Sequence, residues 1–420
     1  MRFDTIIRSV KAKEVYSDRM KSGLFVEVVT SSGAVGQATW SAGLSVGSHE
    51  KRALYDGEGR FSGYGQQKAA AFINEKIAPA LIGMNSIYQE SIDTVIKSFD
   101  APVNVSSPLS MAVLKACSNT LNLPLFQHIG GVRAITMPAP AALIATGSNR
   151  YGFEGSVGYK PSYSLLAYDF DSYSEACVAL WDTYMNWYDI MKDKLAIKMQ
   201  PIAGMAIPKG KLKNDYELWS LMNEVIKNSG FEGRIGLQVD MAASCFYNKK
   251  DKTYDGLFSE EGKNRDELMS IINKMAKEYN FVSIEDPLID EDVEGFASLV
   301  ETTSIQIVAD DLVGGNFQRL KSVITAKACN AVRISCGQIG TVTDMEKYAL
   351  YASERGIALC CDGERGEGLD ACDIAIGLNA ANVKEMGMCY SGNRLMDIEK
   401  AIGSRVRYIG KIGLKGKGRR

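Results

Sequence analysis

Histidine is scarce in this sequence, which holds only His49 and His128 among 420 residues. A zinc site of the H-E-x-x-H type needs two histidines one helical turn apart, and these two lie far apart in the chain. His128 follows the apolar residues Leu125 and Phe126, and a histidine in such a setting is usually a packed structural residue. If the chain is an enzyme, its acids, bases and metal ligands are therefore expected to be carboxylates and lysines.

An excess of one charge is also missing, since 48 Lys and Arg residues stand against 50 Asp and Glu residues, for a net charge of −2. A chain that binds nucleic acid needs a basic surface to attract the phosphate backbone, so nucleic acid is excluded as a partner. No run of about eighteen apolar residues is present to span a membrane. The first residues lack the apolar stretch of a signal peptide. These absences predict a cytoplasmic protein with no membrane partner.

The nine cysteines form no C-x-x-C pair. This argues against a zinc ribbon or a thioredoxin-type site. Because their number is odd and the chain is long, a disulfide framework is not indicated either. Free thiols in a reducing cytoplasm are the expectation.

The first third of the chain predicts a domain of α+β type. Residues 1–40 have the pattern of strands, with a turn at Ser31-Ser32-Gly33. Helical periodicity follows over residues 66–82, 87–98 and 108–121. We predict that residues 1–133 form this domain.

After Gly130-Gly131 the pattern changes to alternating helices and short apolar runs. The helical stretches are 172–193, 215–229, 264–279 and 342–355, and the apolar runs are 235–239, 281–284, 305–308, 331–334 and 357–359. This alternation is typical of β/α units with a parallel sheet. It predicts a closed β/α (TIM-like) barrel over residues 134–420. A doubly wound open sheet is the alternative, although no G-x-G-x-x-G follows a first strand.

Three successive predicted strands end in a carboxylate: Asp240, Glu285 and the pair Asp310-Asp311. The carboxyl ends of barrel strands meet at one mouth, where active sites form. Three converging carboxylates repel one another, and a bound divalent cation such as Mg²⁺ offsets the repulsion. The alternative is that each acid caps the helix that follows it.

Four blocks of sequence, in this order, resemble the enolase family: Asp240–Ser244, Ser283–Pro287, Val308–Leu312 and Gln338–Gly340. The resemblance extends over most of the chain and implies an N-terminal domain that caps the barrel. It also implies a homodimer. The implied reaction is that of a hydro-lyase, which removes a proton next to the carboxylate of a small anionic substrate and eliminates water with the help of Mg²⁺.

The resemblance assigns the three strand-end acids Asp240, Glu285 and Asp310 as Mg²⁺ ligands. It assigns Ser45 to a mobile loop, where the serine contacts a second Mg²⁺ and the substrate. It also leads without gaps from Asp373 to Lys384, which corresponds to an active-site lysine of the family.

The chain departs from the family at the residue that removes the proton. The family's base is a lysine 25 residues after the third metal ligand and three before Gln-Ile-Gly, and both counts lead here to Ser335. A serine hydroxyl is a weak base near neutral pH without an activating partner. Arg333, two residues earlier on the same strand, points to the same side and could hold an anion.

Other family positions are altered as well. Asn149 takes the place of a histidine, Pro161-Ser162 replaces a Gln-Glu pair, and the segment 200–204 lacks the catalytic glutamate. The phosphate-binding loop has two alignments. Without gaps it corresponds to 360–363, and with small gaps Arg365 becomes the anion contact.

Lys198 is a further candidate base, because a lysine at the end of the second strand is the base in other branches of the superfamily that the chain resembles; a solvated or ion-paired lysine is the alternative. Three functions stay open. The first is a Mg²⁺-dependent lyase or isomerase that forms an enolate from another carboxylate. The second is the glycolytic conversion of 2-phosphoglycerate to phosphoenolpyruvate. The third is a catalytically impaired paralogue that keeps the fold.

Overall fold

The structure is a computed structural model that describes residues 4–17, 20–43, 46–147, 149–151, 159–197 and 204–416. An N-terminal sheet with helices is followed by a closed barrel with its own helices. Both parts of the predicted α/β architecture are confirmed. Among the described residues, no helix combines the length and apolarity that a bilayer crossing requires.

The N-terminal sheet is an antiparallel meander of three strands, β1 (Ile7–Tyr16), β2 (Ser22–Thr30) and β3 (Val35–Ser41). Leu24, Val26 and Val28 of β2 are fully buried and alternate with the partly exposed residues Phe25, Glu27 and Val29. This period of two places one face of the sheet against the helices.

The helices of this domain are Gln67–Ala71, Phe72–Ile77 (a π-helical turn), Ala78–Leu81, Gln89–Ser98, Val103–Thr120 and Leu125–Gly130. The helix start expected at residue 108 was wrong, since the long helix begins at Val103 and contains Pro108. Nearly all of its residues are buried against β2, β3 and the barrel. Burial on every side therefore stabilises a helix that its proline alone would shorten.

Eight strands close the barrel in the order of the chain: β4 (Ala139–Thr146), β5 (Ser162–Ala167), β6 (Ile235–Asp240), β7 (Phe281–Glu285), β8 (Gln306–Ala309), β9 (Ala331–Ile334), β10 (Ala358–Cys361) and β11 (Asn382–Val383). The pairing of β11 with β4 completes the ring. All neighbours are parallel except at β5, which runs antiparallel to both β4 and β6.

The reversed strand matters for the site, because the first residue of β5 lies at the mouth where the other strands end. Its partner across the ladder is Asp240, which pairs with Ser162. The residues just before β5 therefore point toward the ends of β6 and β7.

The larger helices around the barrel are Tyr173–Leu195, Asp215–Asn228, Arg265–Glu278, Val293–Thr302, Phe317–Thr325, Val342–Glu354, Asp370–Gly377 and Cys389–Ile402. Their starts follow from the sequence, since side chains at the first turn accept backbone N–H groups. Asn264 and Glu267 form a reciprocal capping box, whereas the side chains of Asn214 and Thr341 each accept one backbone N–H of their helices.

The N-terminal domain reaches the mouth of the barrel through the segment 47–51. A Cβ added to Gly47 would lie 2.7 Å from Asp311 Oδ1, so glycine permits this close approach. Ser48 donates to Asp290, and Lys51 Nζ donates to the carbonyl of Ile339 at 2.6 Å. The first domain therefore covers part of the barrel mouth.

Candidate active site at the mouth of the barrel

The three strand-end acids lie at neighbouring positions, because β6, β7 and β8 are adjacent in the barrel. Oxygens of Glu285, Asp286 and Asp310 all lie within 4.8 Å of one another. Asp240 joins this group through Lys384, whose Nζ donates to Asp240 and, at 3.1 Å, to Glu285 Oε1. The structure thus brings Glu285 and Asp310 together and connects Asp240 to Glu285 through Lys384.

Asp286 is a fourth carboxylate of the group. Its two oxygens accept the backbone N–H groups of Asp310 at 3.1 Å and Asp311 at 2.9 Å, which ties the ends of β7 and β8 together. Burial, followed by the charges of Asp311 and Asp310, raises the pKa of Asp286 well above its ordinary range. This carboxylate organises the backbone under the cluster.

Two buried lysines share one oxygen of Asp240. Both Lys160 Nζ and Lys384 Nζ donate to Oδ2, so Oδ1 takes no hydrogen bond from either ammonium group. Burial acts to raise the pKa of Asp240, but the two lysines bring it below its ordinary value. Asp240 is therefore held as a carboxylate between two cations.

Arg333 is the third cation of the mouth and is buried inside the barrel. It donates through Nη2 to Glu285, and its Nη1 lies 3.1 Å from Asp362. Its Nε lies 3.9 Å from Asp310. Burial raises the pKa of Glu285 to about 7, although the charge of Arg333 acts in the opposite direction. Arg333 thus contacts the acids of the protein rather than facing open space.

Ser335 directly follows β9 and donates its hydroxyl hydrogen to the half-buried carboxylate of Glu367. The same carboxylate accepts the backbone N–H groups of Gly337 and Arg365, both at 2.9 Å. Glu367 therefore anchors the loop after β10, and the Ser335 hydroxyl is one of its three donors.

Arg365 extends from that loop to the N-terminal domain, where its Nη2 donates to Glu50. Glu50 Oε1 also accepts the backbone N–H of Gly47 at 3.1 Å. Arg365 and Glu50 line a cavity of about 860 Å³ together with Trp40, Tyr55 and other residues of the first domain. The ion pair joins the two domains beside the mouth.

Two predicted site residues, Ser45 and Lys198, lie outside the described residues, as do residues 200–203 of the altered glutamate segment. The backbone of Asn149 lies in a short 3-10 turn, Asn149–Tyr151. The next residue, Arg150, holds this turn in place, because its Nη2 donates to both oxygens of the buried Asp215 at 2.8 and 2.6 Å.

Sequence reasoning missed Lys160. A strand-end pattern finds residues that follow a strand, whereas Lys160 precedes a strand that runs the other way. The signal was the sequence between β4 and β5, where residues 147–161 contain four glycines and no helical pattern. Parallel neighbours are usually joined by a crossover that contains a helix, so a connecting sequence without a helical pattern favours an antiparallel strand.

The described acids suit a hard divalent cation by their donor chemistry. Glu285, Asp286 and Asp310 each offer a carboxylate oxygen as a metal ligand. Mg²⁺, Mn²⁺ and Ca²⁺ prefer ligands of this type. The crowding of these charges in a buried place is the strain that such a cation relieves.

Two family models match this chain. The family described as "Enolase, N-terminal domain" matches residues 7–129, and "Enolase, C-terminal TIM barrel domain" matches residues 134–416. Together they cover the sheet, its helices and the whole barrel.

Curated relatives named Enolase resemble the chain over nearly its full length. The protein from Methanococcus aeolicus is 34% identical over 96% of this chain and 97% of its own. Those from Methanocaldococcus jannaschii and Methanopyrus kandleri are 32% and 31% identical, each over 94% of this chain and at least 95% of their own.

Proposed function

The chain belongs to the enolase family, and we propose that it is a divergent Mg²⁺-dependent lyase that removes a proton next to the carboxylate of a small acid. The single observation that carries this proposal is the acid cluster at the mouth. Glu285, Asp286 and Asp310 approach one another within 4.8 Å, and Lys384 bridges Asp240 and Glu285.

In this proposal Asp240, Glu285 and Asp310 hold the Mg²⁺, with Ser45 as a further ligand. When bound, the cation stabilises the negative charge that develops on the substrate carboxylate as the proton leaves. Asp286 fixes the backbone of two ligand strands through its two N–H contacts. Arg333 orients Glu285 and compensates its charge.

The proton acceptor is a lysine in this proposal, and Lys384 is the family's position that this chain retains. Lys160, from the start of β5, places a second ammonium group on the same carboxylate oxygen. Burial lowers the pKa of both ammonium groups, but Asp240 and the neighbouring carboxylates raise the pKa of each lysine above its ordinary value. In this proposal a lysine accepts the proton only after its ion pair with Asp240 is broken. Ser335 has an anchoring role, since its hydroxyl is committed to Glu367.

An exchange experiment in D₂O tests the proposal without requiring the full elimination. The purified chain is incubated with Mg²⁺ and a panel of 2-hydroxy acids, and the C–H signal next to the carboxylate is followed by proton NMR. The expected result is Mg²⁺-dependent loss of that signal for at least one acid. Exchange that is absent for every acid, while Mg²⁺ still binds, contradicts the proposal and favours an impaired paralogue.

A further inference from the structure

A second group of buried polar side chains lies inside the barrel, below the acids of the mouth. Side chains two residues apart on a strand point to the same side, so Gln238 lies beneath Asp240, and Asn382 lies beneath Lys384. Barrel interiors are normally filled with branched apolar side chains. The members of this inner layer are Ser164, Gln238, Ser283, Gln306, Cys360 and Asn382.

The strand register places the members of the inner layer side by side. Gln238 on β6 pairs with Ser164 on β5 and with Ser283 on β7. Ser283 in turn pairs with Gln306 on β8. The two direct neighbours of Gln238 are therefore serines, whose short side chains leave its amide unfilled space on both sides.

Gln306 connects the part of the inner layer that is hydrogen-bonded. Its Nε2 donates to Ser283 Oγ and to Asn382 Oδ1, both at 3.1 Å. Cys360 Sγ donates to the same oxygen of Asn382 at 2.9 Å. Gln306 and Asn382 belong to β8 and β11, which are not neighbours in the sheet, so these side chains meet inside the barrel.

Three amide atoms of the inner layer have no hydrogen-bond partner among the described residues: Gln238 Oε1, Gln238 Nε2 and Asn382 Nδ2. Gln238 is 2% exposed and Asn382 is completely buried, so bulk solvent does not reach them. An enclosed amide without a partner costs free energy, and buried polar groups in native proteins are nearly always paired. The two amides therefore point to a small ligand inside the barrel.

Water is the ligand whose chemistry fits these atoms. A cation would meet the N–H₂ donors of the two amides, and an anion would meet the carbonyl oxygen of Gln238 and the acids above it. A water molecule both donates and accepts, and buried water typically binds polar groups that lack other partners. Two residues along a strand span about 7 Å, a distance that one water hydrogen-bonded to both side chains bridges.

We propose that Gln238 and Asn382 hold ordered water molecules directly below the acid cluster, and that this water positions Asp240 as a metal ligand. The two lysines of the mouth hold only Oδ2 of Asp240, and a carboxylate held at one oxygen can still rotate. Water bound to Gln238 supplies the second contact. Groups behind a metal ligand commonly orient it in this way. The positioning role rests on the proposed function, whereas the water site does not.

A crystal structure of the wild-type chain with Mg²⁺ tests the water site. The expected result is ordered water within hydrogen-bond distance of Gln238 Nε2 and of Asn382 Nδ2, with at least one of these molecules also in contact with Asp240. Ordered amide side chains without such water overturn the inference.

The affinity for Mg²⁺, measured by isothermal titration calorimetry on the full chain, tests the positioning role. Gln238→Leu removes the amide and is expected to weaken Mg²⁺ binding by about tenfold, as substitutions behind a metal ligand commonly do. Gln238→Asn keeps an amide that can bind water and should stay within about threefold of the wild type. Gln318→Leu is the matched control, because it makes the same change at an exposed position, and it should bind Mg²⁺ like the wild type.

Asn382→Leu removes the other unpartnered amide and should weaken Mg²⁺ binding in the same direction, which keeps the test valid if Gln238→Leu folds poorly. A folded Gln238→Leu or Asn382→Leu chain that binds Mg²⁺ as tightly as the wild type overturns the positioning role alone. A wild-type chain that contains the water but binds no Mg²⁺ overturns the proposed function, and the positioning role with it.

Discussion

Arg333 on β9 reaches past the intervening strand β8 to donate a hydrogen bond to Glu285 at the end of β7. Both side chains are about 1% exposed, so neither charge is solvated by water. The pair links one predicted metal ligand to the strand on which the expected base lysine is replaced by Ser335. The positive charge of that strand is therefore carried by Arg333, two residues before Ser335 and inside the barrel. There it compensates the charge of a carboxylate of the protein.

Removal of this arginine is expected to destabilise the fold strongly. Arg333→Met keeps much of the apolar stem but leaves Glu285 and Asp362 without their cation, and breaking a buried pair in this way costs about 3–5 kcal/mol. Urea unfolding measures the loss. Arg355→Met is the control, because that arginine is 42% exposed and lies 3.6 Å from Glu354, and its loss should cost less than about 1 kcal/mol. Equal effects of the two substitutions would contradict the account.

Ser335 is expected to matter little for proton transfer. Ser335→Ala removes one of the three hydrogen bonds to Glu367 and should change the exchange rate by less than about threefold, whereas loss of a general base costs about 10²–10⁴-fold. The NMR exchange assay separates these outcomes. A hundredfold loss would make the serine hydroxyl part of the proton-transfer machinery.

Lys384 is expected to be essential for proton transfer. Lys384→Met removes the ammonium group between Asp240 and Glu285 and should slow exchange by about 10² or more. Lys194→Met, on the surface beside Glu224, serves as the control and should exchange like the wild type. If Lys384→Met retains the wild-type rate, Lys160 or Lys198 must be the acceptor, and the same substitution at each position then identifies it.

The stability of the chain should depend on pH when Mg²⁺ is removed with a chelator. Burial raises the pKa of Glu285 from about 4.5 to about 7, so its protonated form favours the folded state. This contribution is complete below about pH 4.5 and is lost as the pH rises through about 7. Asp286, whose pKa is also raised, acts with the same sign.

Urea unfolding from about pH 5 to about pH 8 measures this effect. The wild-type chain should lose stability over that range relative to Glu285→Gln, a comparison in which the contributions of the two histidines cancel. Excess Mg²⁺ should flatten the wild-type slope, because a bound cation favours the ionised carboxylates. A wild-type slope equal to that of Glu285→Gln in the chelator would contradict the argument.

The sequence predicted the fold well because its main patterns are local. The β-rich run before Ser31 and the helical periods along the barrel are read within a few residues, and both are confirmed. The direction of β5 was not anticipated. The direction of a strand depends on whether the segment before it forms a helix. The alternation of apolar runs gives no information on this point.

The candidate site could be predicted only in part for the same reason. Asp240, Glu285 and Asp310 end parallel strands, so a strand-end rule finds them. Lys160 precedes a reversed strand, and Glu50 comes from the other domain. Their positions depend on tertiary contacts that leave no spacing signal in the chain.

The most direct test of the central claim is hydrogen–deuterium exchange next to the substrate carboxylate, measured with wild-type chain and with Asp240→Asn at saturating Mg²⁺. The account predicts exchange for at least one 2-hydroxy acid with the wild type, and a loss of about 10² or more in Asp240→Asn. A control melt should establish that the variant is folded. Exchange that proceeds equally in both proteins, or that persists with a chelator, would contradict the account.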